Sequence, residues 1–272
     1  MCISWYMDSV GNEPVIQYSK TPFNPVDNVT REIKTAFNDE FKEPGWNGFS
    51  NTAYADITET DEHLINGNQT VWNEFLAAIE PISTRIPYMT VIGNHDLFSL
   101  VGVTYRQTFA MPGSKEGLTW YSFNYNGVHF VSVSSEQDYS VGSQQYEWLK
   151  NDLKTFRENN PTSWIVVFGH RPIYCSLEHR WCNTMKDGYV KSIEHLLQVY
   201  NVDVYLSGHT HSYERTLCVY SNQVVGEYSN PKAPLYLVVG TGGTQKEELS
   251  KTWQPQPNWS SGVRSLSTGF GH

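Results

Sequence analysis

The sequence predicts an α/β fold with one substantial β-sheet. Short apolar runs of strand length alternate with longer segments in which apolar residues recur at helical spacing, and this alternation is typical of α/β proteins. The chain has 272 residues, of which 39% are hydrophobic and 17% are charged. A chain of this size can bury a stable core, and its composition differs from that of charge-rich disordered proteins.

The predicted strands are runs of apolar and β-branched residues bounded by glycine, proline or polar turns. They cover residues 3–7, 14–18, 87–92, 120–125, 128–134, 164–168, 202–206 and 235–239. Asn126-Gly127 separates the fourth and fifth runs, and this dipeptide favours a two-residue hairpin turn. These two strands are therefore expected to pair antiparallel.

Apolar residues lie on one helix face in three segments, 71–82, 144–156 and 190–200. Pro81 and Pro87 are expected to bracket the end of the first helix. The first fifty residues differ, because two strand-like runs are followed by polar, proline-punctuated sequence. We therefore expect a partial β segment over residues 1–50 and a larger α/β domain over residues 51–272.

The charge of the chain argues against two classes of partner. Nineteen Lys and Arg residues against 28 Asp and Glu residues give a net charge of −9, and no basic run occurs. Binding of nucleic acid or of an anionic membrane depends on such residues, so neither is expected. No apolar run approaches the ~20 residues of a membrane span. The first residues lack the basic and apolar regions of a secretory signal peptide.

The sequence has four cysteines, at positions 2, 175, 182 and 218. Cys175 and Cys182 can close a short loop in an oxidising compartment, and two free thiols are the alternative. Asn28, Asn68 and Asn258 lie in glycosylation sequons. A chain this rich in Asn, Ser and Thr contains about three sequons by chance, so they carry little weight.

Histidines follow the ends of predicted strands. Three strand ends continue as Gly93-Asn94-His95-Asp96, Gly169-His170-Arg171-Pro172 and Gly208-His209-Thr210-His211. Glycine lets the backbone turn sharply there, and ligands of open α/β sheets bind beyond the carboxyl ends of the strands. Asn and neutral His suit first-row transition metals. One such histidine would more often be structural, whereas three strand ends together predict a metal site.

These motifs resemble those of the purple acid phosphatases, a family of calcineurin-like metallophosphoesterases. The family's Gly-Asn-His, Val-x-x-His and Gly-His-x-His motifs match residues 93–95, 167–170 and 208–211, and its Val-Val-Gly-Thr-Gly-Gly run matches 238–243. Residues 3–6 resemble a strand of the family's N-terminal domain. The resemblance implies an incomplete metallophosphoesterase-type β-sheet sandwich with flanking helices, preceded by a partial fibronectin-like β segment.

The resemblance also implies an activity, hydrolysis of phosphate monoesters at acidic pH. In this family a dinuclear centre of Fe(III) with Zn, Mn or Fe(II) binds the phosphate, and a metal-bound hydroxide attacks phosphorus. By position, Asn94, His170 and His209 would hold the divalent metal. Tyr54 and His211 would hold the ferric ion.

Two further histidines receive catalytic roles by the same resemblance. His95 would hydrogen-bond the phosphoryl oxygens in the transition state, and His179 would protonate the leaving alkoxide. A solvated loop histidine is the alternative for His179, which lies between Cys175 and Cys182 in the sequence. The family also implies an extracellular or lysosome-like location.

The chain departs from the family in its acidic ligands. No Asp-x-Gly precedes Tyr54, and the family's Gly-Asp-x-x-Tyr reads Ser-Asn-Thr-Ala-Tyr over residues 50–54. The neutral amide of Asn51 cannot replace a carboxylate that bridges two metals. We interpret the junction as a jump from the first domain to the residues after the bridging Asp, with two sheet strands missing. Simple replacement of that Asp by Asn51 is the alternative.

The missing carboxylates leave a second hypothesis for the function. The chain is then a catalytically impaired remnant, a pseudoenzyme or a truncated gene model that binds at most one metal. Three ligands without charge can still hold a divalent ion with water in the open positions. A stable dinuclear pair is not expected from them.

Overall fold

The fold is described from a computed structural model of the chain. The structure describes residues 2–6, 15–19, 32–35, 69–98, 102–112, 118–178, 182, 188–241 and 252–267. These residues fall into two compact units, of which the first holds three short strands and one helix, and the second begins at Thr90. No helix among them is long and apolar enough to cross a membrane. The domain boundary at residue 50 stays a prediction.

The first unit contains a three-stranded antiparallel sheet. Its strands are β1 (Cys2–Tyr6), β2 (Val15–Ser19) and β3 (Glu32–Thr35), in that order across the sheet. The first two confirm the predicted strands within one residue. The sequence of β3, Glu-Ile-Lys-Thr, has a single strongly apolar residue and so gave no strand signal.

The helix of the first unit is α1 (Gln69–Ser83), and it includes Pro81. It ends at Ser83, between Pro81 and Pro87, as expected. Proline removes one hydrogen-bond donor, but the next turn is still closed, because Thr84 N donates to Glu80 O at 3.1 Å. Near a helix end the loss of a single bond is tolerated.

The second unit is built on a seven-stranded mixed sheet. Its strands are β4 (Tyr121–Tyr125), β5 (Val128–Val133), β6 (Trp164–Gly169), β7 (Val204–Ser207), β8 (Tyr213–Thr216), β11 (Leu235–Val239) and β12 (Ser260–Ser265). They are ordered β12-β8-β11-β7-β6-β5-β4, and the central strands β5, β6, β7 and β11 run parallel. The predicted α/β class is confirmed.

The strands β9 (Val219–Tyr220) and β10 (Gln223–Val224) form a separate hairpin. The hairpin predicted between β4 and β5 is confirmed, since their register pairs Tyr125 with Val128. Its turn residues Asn126 and Gly127 have φ angles of 48° and 80°. Both angles lie in the left-handed region that such a two-residue turn requires.

Helices α2 (Val103–Thr108), α3 (Gln144–Asn159) and α4 (His195–Val199) belong to the same unit, and a π-helical turn at Val190–Glu194 leads into α4. The side chain of Ser143 caps α3 by accepting a hydrogen bond from Tyr146 N at 3.2 Å. Leu149 and Leu153 are fully buried in the core together with residues of β5 and β6. The predicted apolar face of this helix is therefore confirmed.

The strand predicted at 87–92 is wrong, because this segment is not part of a sheet ladder. Side chains bond to its backbone instead. Thr90 N donates to Met111 Sδ at 3.5 Å, and Tyr121 Oη donates to Thr90 O at 2.7 Å. Ile92 is fully buried, so the apolar run packs inward without a strand partner.

A buried carboxyl group lies in the π-helical turn. Glu194 Oε1 accepts hydrogen bonds from Tyr174 Oη and, at 3.0 Å, from Ser221 N. Burial raises the pKa of Glu194 above its ordinary value, and the two hydrogen bonds oppose this shift. Burial and the nearby carboxylate also raise the pKa of Tyr174, so Tyr174 stays the donor of the pair.

Glu194→Gln removes this ionisation and keeps an oxygen that can accept both hydrogen bonds. A raised folded-state pKa makes this group contribute stability at low pH. That stability is lost as the pH rises from the ordinary carboxyl value through the raised one. The variant should therefore gain stability relative to wild type at about pH 7 and less at about pH 4. Thermal unfolding followed by circular dichroism measures the difference.

Glu158→Gln is the control, because Glu158 lies on α3 with its side chain 65% exposed. We expect its effect on the unfolding temperature to differ less between the two pH values, because the exposed ion pair of Glu158 with Lys154 contributes little. A pH dependence of Glu194→Gln no larger than that of this control would contradict the assignment of a buried, titrating carboxyl group.

Candidate metal centre

Two histidines lie at the carboxyl ends of neighbouring parallel strands. His170 directly follows β6, and His209 lies two residues after β7. The register of these strands pairs Phe168 with Leu206, and Gly208 N donates to His170 O at 3.0 Å just beyond them. Both histidines therefore start from the same edge of the sheet.

Asn94 reaches this edge from the turn that follows residues 87–92. Gly93 N donates to Asp96 Oδ2 at 2.7 Å, which closes a tight turn before a short 3₁₀ turn at Asp96–Phe98. A Cβ atom on Gly93 would lie 2.9 Å from Cε1 of His170. Because Gly93 has no side chain, the His170 ring packs directly against this backbone, beside Asn94.

The three side chains converge on one point. His170 Nε2 lies 2.7 Å from Asn94 Oδ1, and His209 Nδ1 lies 3.0 Å from that same oxygen. The two ring nitrogens are 3.0 Å apart, and the rings meet edge to face at 75°. We refer to Asn94, His170 and His209 as the Asn-His-His triad.

Hydrogen bonding alone cannot satisfy all three contacts of the triad. A neutral imidazole carries one N–H, and the Asn94 amide presents either its oxygen or its nitrogen. If Asn94 Oδ1 accepts hydrogen bonds from both rings, the protonated ring nitrogens of His170 and His209 face each other. If the amide nitrogen of Asn94 donates to both rings instead, the lone pairs of these two ring nitrogens face each other. One cation that receives all three lone pairs removes this conflict.

The donor set of the triad fits a single divalent metal ion. Atoms about 3 Å apart can be reached by one ion at metal–ligand bonds of about 2.0–2.1 Å. Imidazole nitrogen and amide oxygen suit Zn, Mn or Fe. The amide and the two imidazoles of the triad carry no negative charge. No Asp, Glu or Cys joins the two histidines in a group of three that could hold a metal, among the residues that the structure describes. By itself the triad does not fit a dinuclear centre.

A strained turn presents His209 to the other two residues. Its φ angle is 67°, in the left-handed region that residues with a Cβ atom rarely adopt. Thr210 N donates to Gly208 O at 2.8 Å, and Ser212 N donates to Thr210 O at 2.7 Å. A Cβ on Gly240 would lie 1.9 Å from Thr210 O. The end of β11 thus packs against the turn, and strain of this kind is typical of functional positions.

The other predicted site residues lie beside the triad or outside the described part of the chain. His95 follows Asn94 and is half-buried, and His211 lies two residues after His209 with 8% of its surface exposed. Both belong to the loops that form the triad. Tyr54 and His179 lie outside the described residues, so their roles stay predictions.

A disulfide joins Cys175 to Cys182, so the bonded alternative is the one in the structure. Cys175 Sγ lies 3.8 Å from Oγ1 of Thr210. Thr210 is the residue between His209 and His211 in the sequence. The next residue, Ser176, donates its backbone N–H to the buried Glu214 carboxylate at 2.7 Å. The disulfide end of this loop therefore packs directly against the turn that carries His209.

Sequence reasoning gave no role to two charged residues beside the triad. Arg171 forms an ion pair with Glu136 in which Nε and Oε1 are 2.6 Å apart, and its Nη1 lies 3.5 Å from His209 Nε2. Arg171 belongs to the recognised Gly-His-Arg-Pro run, which was a usable signal. Glu136 is a single carboxylate after a strand, and no spacing pattern distinguishes it from the other acidic residues of the sequence.

A mixed sheet with metal-type donors at the carboxyl ends of its parallel strands defines an α/β protein with a candidate metal site at the sheet edge. Residues 55–213 match the family model described as Calcineurin-like phosphoesterase, and residues 233–272 match the one described as Iron/zinc purple acid phosphatase-like protein C. The chain belongs to the purple acid phosphatase family of calcineurin-like phosphoesterases. The resemblance found in the sequence is confirmed.

Individual relatives agree with this family. Acid phosphatase type 7 of Danio rerio is 34% identical over 235 residues, which cover 76% of this chain and 52% of that protein. Probable inactive purple acid phosphatase 9 of Arabidopsis thaliana is 33% identical, with 73% and 34% covered. The structure of purple acid phosphatase PPD1 from yellow lupin (Lupinus luteus) seeds matches at a TM-score of 0.65 and 29% identity, with 76% and 39% covered. The chain spans about half of the Danio rerio relative's length.

Gly93→Ala should weaken metal binding by displacing His170. The added methyl group would lie 2.9 Å from His170 Cε1, so the ring must move away from Asn94. We expect the affinity for Zn²⁺ to fall by about 10-fold, while the free energy of unfolding changes by about 1 kcal/mol or less. Isothermal titration calorimetry with Zn²⁺ measures the affinity.

Gly188→Ala is the matched control, because its Cβ would meet its nearest neighbour, Tyr139 Cε2, at an ordinary 3.5 Å. We expect the control to bind Zn²⁺ like the wild type. Wild-type affinity in Gly93→Ala would mean that the packing of His170 on Gly93 does not position the ligand.

Proposed function

We propose that this chain is an acid phosphatase that hydrolyses phosphate monoesters at a metal centre on the carboxyl edge of its sheet. The observation that carries the proposal is the convergence of Asn94 Oδ1, His170 Nε2 and His209 Nδ1 within 3.0 Å of one another. Membership of the purple acid phosphatase family supports it, because the motifs of this family supply these same three residues.

We assign the Asn-His-His triad to one divalent ion, Zn, Mn or Fe. His211 and Tyr54 are assigned to Fe(III) wherever a second metal binds. A bound metal supplies Lewis-acid stabilisation of phosphoryl oxygens and makes water a better nucleophile. In the described part of the chain the triad is neutral, so the charge of bound phosphate is what balances the charge of the ion.

Two histidines complete the proposed chemistry. His95 directly follows Asn94, and we assign it the donation of a hydrogen bond to a phosphoryl oxygen, which would stabilise the charge that develops there. His179 is assigned the transfer of a proton to the leaving oxygen, which lets a poorly leaving alkoxide depart as an alcohol.

An extracellular or lysosome-like location is part of the proposal. The disulfide between Cys175 and Cys182 supports it, because disulfides form and persist in oxidising compartments and are rare in the cytosol. A phosphate monoester is the proposed small-molecule substrate. The net charge of −9 argues against nucleic acid as a partner.

The neutrality of the triad favours one alternative function, metal binding without turnover. Three uncharged donors hold at most one divalent ion, and no carboxylate of the described residues joins them to form a second site. One relative carries the name probable inactive purple acid phosphatase 9. A catalytically impaired member of the family is therefore the second candidate.

Metal content and hydrolysis of p-nitrophenyl phosphate at about pH 5, below the ordinary histidine pKa, separate the two functions. An acid phosphatase should retain bound Zn, Mn or Fe after dialysis and turn the substrate over. Asn94→Ala should lose both properties, because it removes one of three ligands. Metal without turnover would establish metal binding without catalysis, and the absence of both would contradict every metal-dependent role and leave only a catalytically impaired family member.

His95→Ala should separate metal binding from catalysis. The triad is intact in this variant, so metal content should stay at the wild-type level while turnover falls by about 100-fold or more. Elemental analysis and initial-rate kinetics measure the two effects. His195→Ala is the control, because His195 lies on α4 and its exposed ring contacts Tyr220 Oη at 3.3 Å; it should change neither property.

A further inference from the structure

We propose that Arg171 is a positioning residue that holds the His209 ring in place, and that Glu136 fixes and neutralises Arg171. The inference rests on the proposed function, since it concerns the same metal centre. It adds a buried ion pair to the machinery of the site. Neither residue is a metal ligand, and both act through His209.

The guanidinium group of Arg171 is fixed at two points. Its Nε donates to Glu136 Oε1 at 2.6 Å, and its Nη2 donates to Oε2 at 3.1 Å. The two side chains are only 14% and 6% exposed. Parallel hydrogen bonds of this kind set the plane of the guanidinium group as well as its position. Arg171 is therefore a rigid side chain and not a solvated one.

The main chain of Arg171 is also anchored on both sides. Its N–H donates to Ser135 Oγ at 3.3 Å, and its carbonyl accepts from Tyr205 Oη at 2.9 Å. Ser135 lies just beyond β5, Tyr205 lies in β7, and Arg171 itself follows β6. Arg171 thus links the ends of three neighbouring strands, β5, β6 and β7.

Glu136 is anchored in turn from helix α3. Ser135 Oγ donates to Glu136 Oε1 at 2.9 Å. The preceding residue, Ser134, exchanges two hydrogen bonds with the fully buried Gln145, at 2.7 and 3.0 Å. A continuous line of contacts runs from α3 through the end of β5 to the guanidinium of Arg171. The ion pair is therefore organised before any ligand binds.

The remaining arm of the guanidinium faces His209. Its Nη1 lies 3.5 Å from Nε2, the ring nitrogen opposite the Nδ1 atom that faces Asn94 and His170. This distance is long for a hydrogen bond, so the contact acts mainly as a fixed edge against which the ring rests. A ring that gives Nδ1 to a metal carries its proton on Nε2, so Arg171 faces an N–H group and positions the ring by packing, without a hydrogen bond.

Glu136 also explains how a cation is tolerated beside a site for cations. The carboxylate and the guanidinium form a neutral pair, so the pair presents no net charge to the metal. Removing Glu136 alone would leave a buried positive charge next to the triad. Removing both partners would leave none. The two residues should therefore show coupled effects on metal affinity.

The test compares Arg171→Met, Glu136→Gln and the double variant. Competition with a chromogenic chelator measures Zn²⁺ affinity. We expect the double variant, which removes the packing contact and leaves no net charge, to lose about 10-fold. Glu136→Gln should lose more, because it leaves a buried cation. Arg171→Met should lose less, because the carboxylate left at Glu136 attracts the metal ion. Arg171→Lys keeps the charge and can contact one carboxylate oxygen, so it should retain the fold and lose part of the affinity.

A second readout needs no metal. Imidazole nitrogen signals in the NMR spectrum of the metal-free protein report the surroundings of each ring, and His209→Gln identifies those of His209. In Arg171→Met these signals should shift, while those of histidines away from the site stay in place. This readout decides the positioning role even if the wild type binds no Zn²⁺, an outcome that would overturn the proposed function instead.

Arg157→Met is the matched control. Arg157 is 15% exposed and bonds to backbone carbonyls of Tyr200 and Asn201 before β7, at the opposite end of the strands. It should lower the unfolding temperature and leave Zn²⁺ affinity and the His209 signals unchanged. If Arg171→Met behaves like this control, Arg171 is only structural and the inference is overturned.

Discussion

The parallel pairing of β6 with β7 is the interaction on which the candidate site depends. It brings His170 and His209 to one edge of the sheet, and the bond from Gly208 N to His170 O continues the alignment past the strand ends. A slip of one residue would turn the side chains of a strand to the opposite face. The parallel pairing of β5 with β6 brings Glu136 to the same edge. The site is thus a consequence of backbone register.

At that edge of the sheet, the uncharged side chains of the triad meet one another, and the Arg171–Glu136 ion pair lies beside them. The triad brings no carboxylate to the described part of the site, while Arg171 and Glu136 cancel each other a few ångströms away. The disulfide-bonded Cys175 also contacts the turn, at Thr210. In a site built in this way the three donors are held in place, and they carry no charge of their own.

Local signals made much of this structure predictable, and contacts distant in sequence decided the rest. The Asn126-Gly127 turn and the apolar runs of β6 and β7 carry their own information, and so does a histidine directly after a strand. The segment 87–92 has an equally apolar run, yet its backbone bonds to Met111 and Tyr121. Strand β12 went unpredicted because its Ser-Ser-Gly-Val-Arg-Ser sequence is mostly polar. Glu136 acquires its role only when the fold brings Arg171 to it.

The backbone conformation of His209 lowers the stability of the turn that carries this side chain. A side-chain-bearing residue with a φ of 67° is less stable there than glycine by roughly 1 kcal/mol. Glycine would relieve that strain but would remove the ring that meets Asn94 and His170. The chain thus retains a less stable backbone at this turn, and a substitution that stabilises the turn takes the triad apart.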